Sequence, residues 1–289
     1  MEENNISQNV FNSINDVFSK IFYSIDENIY NTLDDITFIN SEIIENSKIK
    51  QIIGDNSSEG ILLICNALIL GIVLYYSINY LISHLTLSRV EKPSQFIFKL
   101  IIFSILMNSS IWICIQIVDI VSIVTNSIRQ IGEGLCKESI CFSNFIKMIN
   151  EKIYVEENLN IFSFDGVIKS FVTFGFMNLI FSNSLRYIMI QVFIIISPFG
   201  FMCLISEKMQ YFFKRWFVCF LSLLIEQILI SIILILAFAL EKNIDDTIVK
   251  LLYVGIIYAL IKANTYMNQI FGGISTMVSS GINTMKTIK

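Results

Sequence analysis

Two ionisable side chains stand inside uncharged runs long enough to cross a bilayer: Glu226, in the stretch from Trp216 to Leu240, and Lys262, in the stretch from Leu251 to Phe271. An unpaired charge at mid-membrane costs on the order of 2.5–3.5 kcal/mol on insertion scales. Two charges at matching depth in consecutive antiparallel spans therefore point to a Glu226–Lys262 pair inside a helix bundle, unless the span ends at Ile261 and Lys262 snorkels to the interface. Other chemistry is thin. A single histidine, His84, removes most metal-site and catalytic-triad arrangements, which need imidazole beside Cys or carboxylate partners. No CxxC and no GxxxxGK[ST] phosphate loop occurs, so neither a redox pair nor nucleotide hydrolysis is expected, and no cofactor. Of the six cysteines, Cys136 and Cys141 lie close enough in sequence to bridge if they face an oxidising space and the intervening chain turns; free thiols are the equal alternative.

The elements that must position these residues are membrane helices. Of 289 residues, 54% are hydrophobic and only 15% charged, a composition that excludes an ordinary soluble domain and predicts an all-α polytopic integral membrane protein. Heavy use of Ile, Asn, Lys and Phe with two prolines suggests an AT-biased bacterial genome. The charge is asymmetric. Residues 1–59 hold 11 acids against 3 bases, which argues against a nucleic-acid groove there, because such grooves are basic. Apolar residues recur every three or four positions from Ile6 to Ile36, so this segment is expected to be an extracytoplasmic amphipathic helical arm, packing on its own protein or on a neighbouring subunit.

Residues 60–128 are expected to contain the first two spans, Gly60–Ser83 and Leu100–Val118, joined by a basic loop at 84–99. An extracytoplasmic loop follows at 129–169. Residues 170–186 form an uncharged run of only 16 residues closed by Arg186, expected to lie at the interface or to re-enter the bundle; a sixth span is the competing reading. Residues 187–271 then carry spans three to five, and 272–289 form a tail. With five spans, the loops at 84–99 and 207–215 and the segment 262–289 share one side and hold nine Lys and Arg, so positive-inside bias puts the N-terminus outside and the C-terminus in the cytoplasm.

Between the third and fourth expected spans lies a corner: Ser197, Pro198 and Phe199 in an apolar segment, then Phe213, Lys214, Arg215 and Trp216, then a long apolar run with Glu226 and Gln227. Pro198 should kink its helix, Lys208, Lys214 and Arg215 should face the cytosol, and Trp216 should sit at the interface. In order and spacing this corner resembles the TrbL-like family, polytopic channel subunits of conjugative type IV secretion machines. The resemblance implies a non-catalytic component of the bacterial cytoplasmic (inner) membrane, several copies together, touching secretion ATPases inside and scaffold subunits outside, with transient contact to translocating DNA or protein. From a different class, a permease subunit for a small solute is the alternative. No second copy of the Ser-Pro segment occurs in residues 60–128, and paired, similarly interrupted spans are what such transporters often show.

Overall fold

The computed structural model of the chain describes residues 27–44, 47–54, 60–86, 91–153, 164–207, 209–240 and 246–271. The first part of the expected arm, Lys208 and the tail lie outside the described residues. Ten α-helices follow in order among the described residues: α1 Glu27–Thr37, α2 Ser47–Ile53, α3 Gly60–Thr86, α4 Pro93–Asn108, α5 Ser110–Cys136, α6 Phe142–Ile153, α7 Phe164–Ile195, α8 Ser197–Met202, α9 Gln210–Phe238 and α10 Asp246–Phe271. A 3-10 turn, Ser41–Ile44, sits between α1 and α2, and no strand occurs among the described residues. Among the described residues five helices, α3, α5, α7, α9 and α10, are long and apolar enough to cross a membrane. The chain is an all-α, multi-pass membrane protein.

Three of the expected helix boundaries move. The run expected as one span from Leu100 to Val118 breaks at Ser109, because the Asn108 side chain turns back to donate to the Ser104 carbonyl at 2.9 Å and also meets Asn66 at 3.5 Å. The long helix is α5, which starts at Ser110 and runs on to Cys136. Likewise there is no separate interfacial helix at 170–186. Residues 164–195 are one helix, and Arg186 stands inside it with no exposed surface, so the charge marks a buried face rather than an end. The break falls at Ile196, ten residues after the arginine and just before Pro198, which has no N–H to return to Ile194.

Contacts fix how the helices run. Asn66 meets Asn108, and the Tyr76 ring stacks on Phe96 at 3.7 Å, so α3 and α4 are antiparallel. Lys99 pairs with Glu91 at 2.7 Å and with Glu207 at 2.8 Å, which brings the α3–α4 connection and the α8–α9 turn to the same end of the bundle. Two helix contacts use glycine. At Gly132 of α5 a Cβ would stand 2.5 Å from Ile235 of α9, and at Gly175 of α7 it would collide with Ile257 of α10. Small residues let membrane helices approach until dispersion contacts form.

The interior divides in two. One apolar cluster joins α6 to the first half of α7, the second half of α9 and α10, through Phe142, Phe145, Phe176, Leu234, Tyr253 and Ile257. The other joins α3, α4, the first half of α5, the end of α7, α8 and the start of α9. The described part of the arm packs against the membrane helices of its own chain. Leu33 is buried in the first cluster, and Ile39, Ile43 and Ile53 are buried in the second. Two devices hold its upstream part. Both carboxylate oxygens of Asp34 accept the Phe142 N–H, at 3.0 and 3.1 Å, which caps α6 from another helix; Arg129 lies 4.2 Å over the Phe38 ring and donates to the Ile140 carbonyl at 2.9 Å.

Two predictions follow from these contacts. Gly132→Leu and Gly175→Leu should each lower thermal stability in detergent by about 1–3 kcal/mol through overpacking, whereas Gly255→Leu, which meets open space, should leave it unchanged. Burial pushes the Asp34 carboxyl up to about 6 from 3.8, against the pull of the Phe142 N–H and the Arg129 guanidinium. The folded protein thus keeps a proton that the unfolded chain has released, so stability should fall as pH rises from about 4 to about 6, by up to about 3 kcal/mol, and level off above. In Asp34→Asn the melting temperature should lose that slope.

Candidate functional site

Between the two apolar clusters lies a buried polar layer. Along α7 the order is Leu179, then Asn183 and Arg186, then Ile190; along α9 it is Leu224, then Glu226 and Gln227, then Ile230. Each polar pair is flanked by one residue from either cluster, so Arg186 and Glu226 face each other at the same depth. Arg186 is 0% exposed and Glu226 2%, figures reached only by charges with partners. The Arg186 Nη1 lies 3.9 Å from Glu226 Oε1, an ion pair without a direct hydrogen bond. The other carboxylate oxygen of Glu226 accepts from Asn264 Nδ2 of α10 at 2.8 Å. Glu226 is thereby held from two helices.

The partner foreseen for Glu226 is therefore corrected. Lys262 is half-buried on α10 with its ammonium 5.6 Å from the Tyr258 ring, while Asn264, two residues on, turns to the carboxylate. Successive helical positions differ by about 100°, so residues two apart point to different faces; matching depth was satisfied, matching face was not. Arg186 occupies the place expected of Lys262.

The layer also receives the arm. Helix α1 ends at Thr37, which leaves terminal carbonyls and the next N–H groups without helical partners. Arg186 Nη2 donates to the Thr37 carbonyl, and Gln227 Oε1 accepts the Ile39 N–H at 3.0 Å. One turn beyond Tyr187, Gln191 donates to the Ile43 carbonyl at 3.0 Å. Three polar side chains on two long helices thus satisfy the irregular backbone from Thr37 to Ile43, the condition under which non-helical chain is tolerated among membrane helices. Further polar atoms in the layer make no hydrogen bond to the described residues: both side-chain polar atoms of Asn183, Arg186 Nε and Nη1, Gln227 Nε2 and Thr37 Oγ1.

The Ser-Pro corner forms a second constellation. Ser197 is buried with its hydroxyl 3.2 Å from that of Ser110, which ties the start of α8 to the start of α5. Pro198 occupies the first turn of α8, where a missing N–H is harmless, and Phe199 packs on the second apolar cluster. Trp216 is not at an exposed interface position. It is 9% exposed, its Nε1–H donates to the Phe193 carbonyl at 3.2 Å beside the helix break, and its ring lies flat on Phe220 and against Gly200, where a Cβ would come within 3.0 Å. Phe213 packs 5.7 Å from the indole. Lys214 and Arg215 are exposed, Arg215 lying 5.7 Å over the Tyr211 ring. Cys136 and Cys141 are both free thiols, with Cys141 Sγ accepting the Asn144 N–H at 3.4 Å.

What can these groups do? Among the described residues no three His, Cys, Asp or Glu side chains gather as a metal set. The buried layer offers a carboxylate, a guanidinium and amides, groups that hold charge and backbone in place. Arg186, Asn264 and Thr37 went unrecognised in the sequence, although Arg186 carried the same signal as Glu226: one charge between two apolar runs that together exceed a span.

Removing one member of the pair should be worse than removing both. Arg186→Leu leaves Glu226 buried without its cation and should cost about 3–5 kcal/mol, while Arg186→Leu combined with Glu226→Leu should recover the part due to the unpaired carboxylate, the Thr37 carbonyl staying bare in both. Lys262→Ala should change little. Thermal unfolding of the wild type, Glu226→Leu and these three variants in one detergent checks this, and additive losses from the two single replacements would count against the pair. No family model, curated protein or solved structure matches the chain.

Proposed function

We propose that this chain is a non-catalytic subunit of a membrane translocation platform of the bacterial conjugative type IV secretion kind, set in the cytoplasmic membrane with its N-terminus outside and C-terminus inside. The observation that carries the reading is the occupancy of the polar layer. A permease needs its mid-membrane polar groups free to meet a solute, whereas here Arg186, Gln227 and Gln191 hold the chain's own backbone from Thr37 to Ile43. A bundle locked in this way suits a scaffold whose moving parts and energy come from partners.

Two further observations support it. Large apolar side chains remain exposed along α3, at Leu70, Leu74 and Leu81, and along α4, at Phe98 and Ile105, surface for lipid or for neighbouring copies. At one end Lys214 and Arg215 are exposed beside the Lys99, Glu91 and Glu207 cluster, a charged face for a cytosolic ATPase. In this reading the scaffold subunits, and transiently the DNA or protein cargo, are met by surfaces of the assembled ring.

Topology and partnership test it together. In a cysteine-free background, Tyr211→Cys should react with an impermeant maleimide in inverted vesicles and stay unlabelled in intact cells, and crosslinking in the native host should recover a phosphate-loop ATPase. Labelling from outside would overturn the orientation. Solute flux through proteoliposomes that contain this chain alone would overturn the platform reading in favour of the permease.

A further inference from the structure

A cavity of about 640 Å³ opens between α3, α4 and the turn that joins α8 to α9. Its wall on α3 changes character along the helix. Leu68, Gly71 and Ile72 make the deep part apolar; Tyr75, Tyr76 and Asn79 follow toward the helix end; Glu91 and Glu207 form the rim. This gradient, from aliphatic through tyrosine to ionic, is that of the bilayer itself from acyl chains through interface to headgroups. The volume lies within the roughly 300–1,000 Å³ range of small-molecule sites.

We propose that this cavity is a lipid site selective for a phosphoethanolamine headgroup, with an acyl chain along Leu68 and Ile72. The rim charges argue for a zwitterion. Lys99 stands 2.7 Å from Glu91 and 2.8 Å from Glu207, so two carboxylates share one ammonium and the trio carries a net negative charge. Glu207 keeps 73% of its side chain exposed and can accept a second cation, while Lys99, which stands behind the two lining carboxylates and is bonded to both, keeps its third N–H for a phosphate oxygen at the rim. A phosphoethanolamine headgroup brings one charge of each sign to these two groups; a phosphoglycerol headgroup brings only an anion to a rim with an excess carboxylate. The Asn79 amide, which makes no hydrogen bond to the described residues, and the exposed Tyr75 hydroxyl add neutral partners for phosphate and glycerol oxygens. The Tyr76 hydroxyl is already engaged, donating to the Glu91 carbonyl at 2.6 Å, and so fixes the rim loop to α3.

Gly71 gives a clean probe. A Cβ there meets no heavy atom within 4 Å, so a larger side chain enters open space beside the cavity without pressing on the bundle. The full chain is purified from vesicles of equal parts phosphatidylethanolamine and phosphatidylglycerol, and the lipid it retains is identified by native mass spectrometry. The wild type should retain phosphatidylethanolamine over phosphatidylglycerol by about tenfold, the discrimination one added ion pair gives. Glu207→Gln should drop that ratio to that of the vesicle, and Gly71→Trp should reduce retention of either lipid, with melting temperatures like the wild type showing that both variants fold. Equal retention of the two lipids by the wild type overturns the headgroup assignment. Unchanged retention by Gly71→Trp together with Leu68→Trp, which blocks the same wall, overturns the site.

Discussion

The fold depends on what happens where α1 runs out. A helix end buried among apolar helices exposes carbonyls and N–H groups that neither lipid nor neighbouring Leu and Ile can satisfy, and each such group left bare costs about 1–3 kcal/mol. Arg186 and Gln227 remove that penalty at Thr37 and Ile39. The guanidinium in turn could not be there without Glu226, and Glu226 is completed by Asn264. The chain of dependence runs through four elements: the arm needs α7 and α9, their polar faces need each other, and α10 needs to stand close enough for its amide to reach. Gly175, whose bare face receives Ile257 of α10, allows that proximity.

A second dependence links the two motifs of the Ser-Pro corner. Pro198 interrupts the helical ladder between α7 and α8, and the bend would expose carbonyls at the end of α7. The indole of Trp216 donates to one of them, Phe193, while its ring is clamped between Phe220 and the bare face of Gly200. The bend is thus fixed by a residue eighteen positions later on a different helix. Its orientation lets the chain leave α8 toward the Lys99–Glu207 contact and turn back into α9, so the proline, the glycine and the tryptophan act as one hinge block with the charged end beneath it.

How much of this was legible from residue order alone varies with the kind of information involved. The number of long apolar helices and the proximity of the 84–99 and 207–215 segments followed from hydropathy and charge, because lipid and water impose those regularities on any sequence. Helix ends were less accessible. At Asn108 and Ser109 the break comes from a side chain that returns to its own backbone, and at Arg186 continuity comes from a partner forty residues later; a window scan treats polar residues in both places alike. Pairing needed the third dimension. Glu226 and Lys262 share a depth, yet α10 turns Asn264 toward the carboxylate and leaves Lys262 over Tyr258, a distinction of rotation about the helix axis. The burial of Trp216 was hidden for the same reason: an indole suits an interface and a helix break equally, and only the neighbouring Phe193 carbonyl decides. For the arm, the stripe of Ile and Leu specified that something apolar covers it without specifying which surface.

The division of the interior into two apolar clusters with a polar layer between them has a mechanical consequence. Apolar contacts between helices slide at little cost, since one Leu or Ile packs about as well a turn further along, whereas an ion pair and amide contacts such as those of Arg186, Glu226, Gln227 and Asn264 define one register. The layer lies where α7, α9, α10 and the arm all meet, so it sets the axial position of four segments at once. Helices α3 and α4 have no part in it. They join the bundle through the second apolar cluster, the Asn66–Asn108 contact and the Lys99 ion pairs at the charged end, and they keep most of their large side chains on the outer surface. Register is therefore set by the buried layer in one half of the molecule and by the Asn66–Asn108 contact and the Lys99 ion pairs in the other, and this second half is the one that carries both the exposed apolar faces and the cavity beside α3.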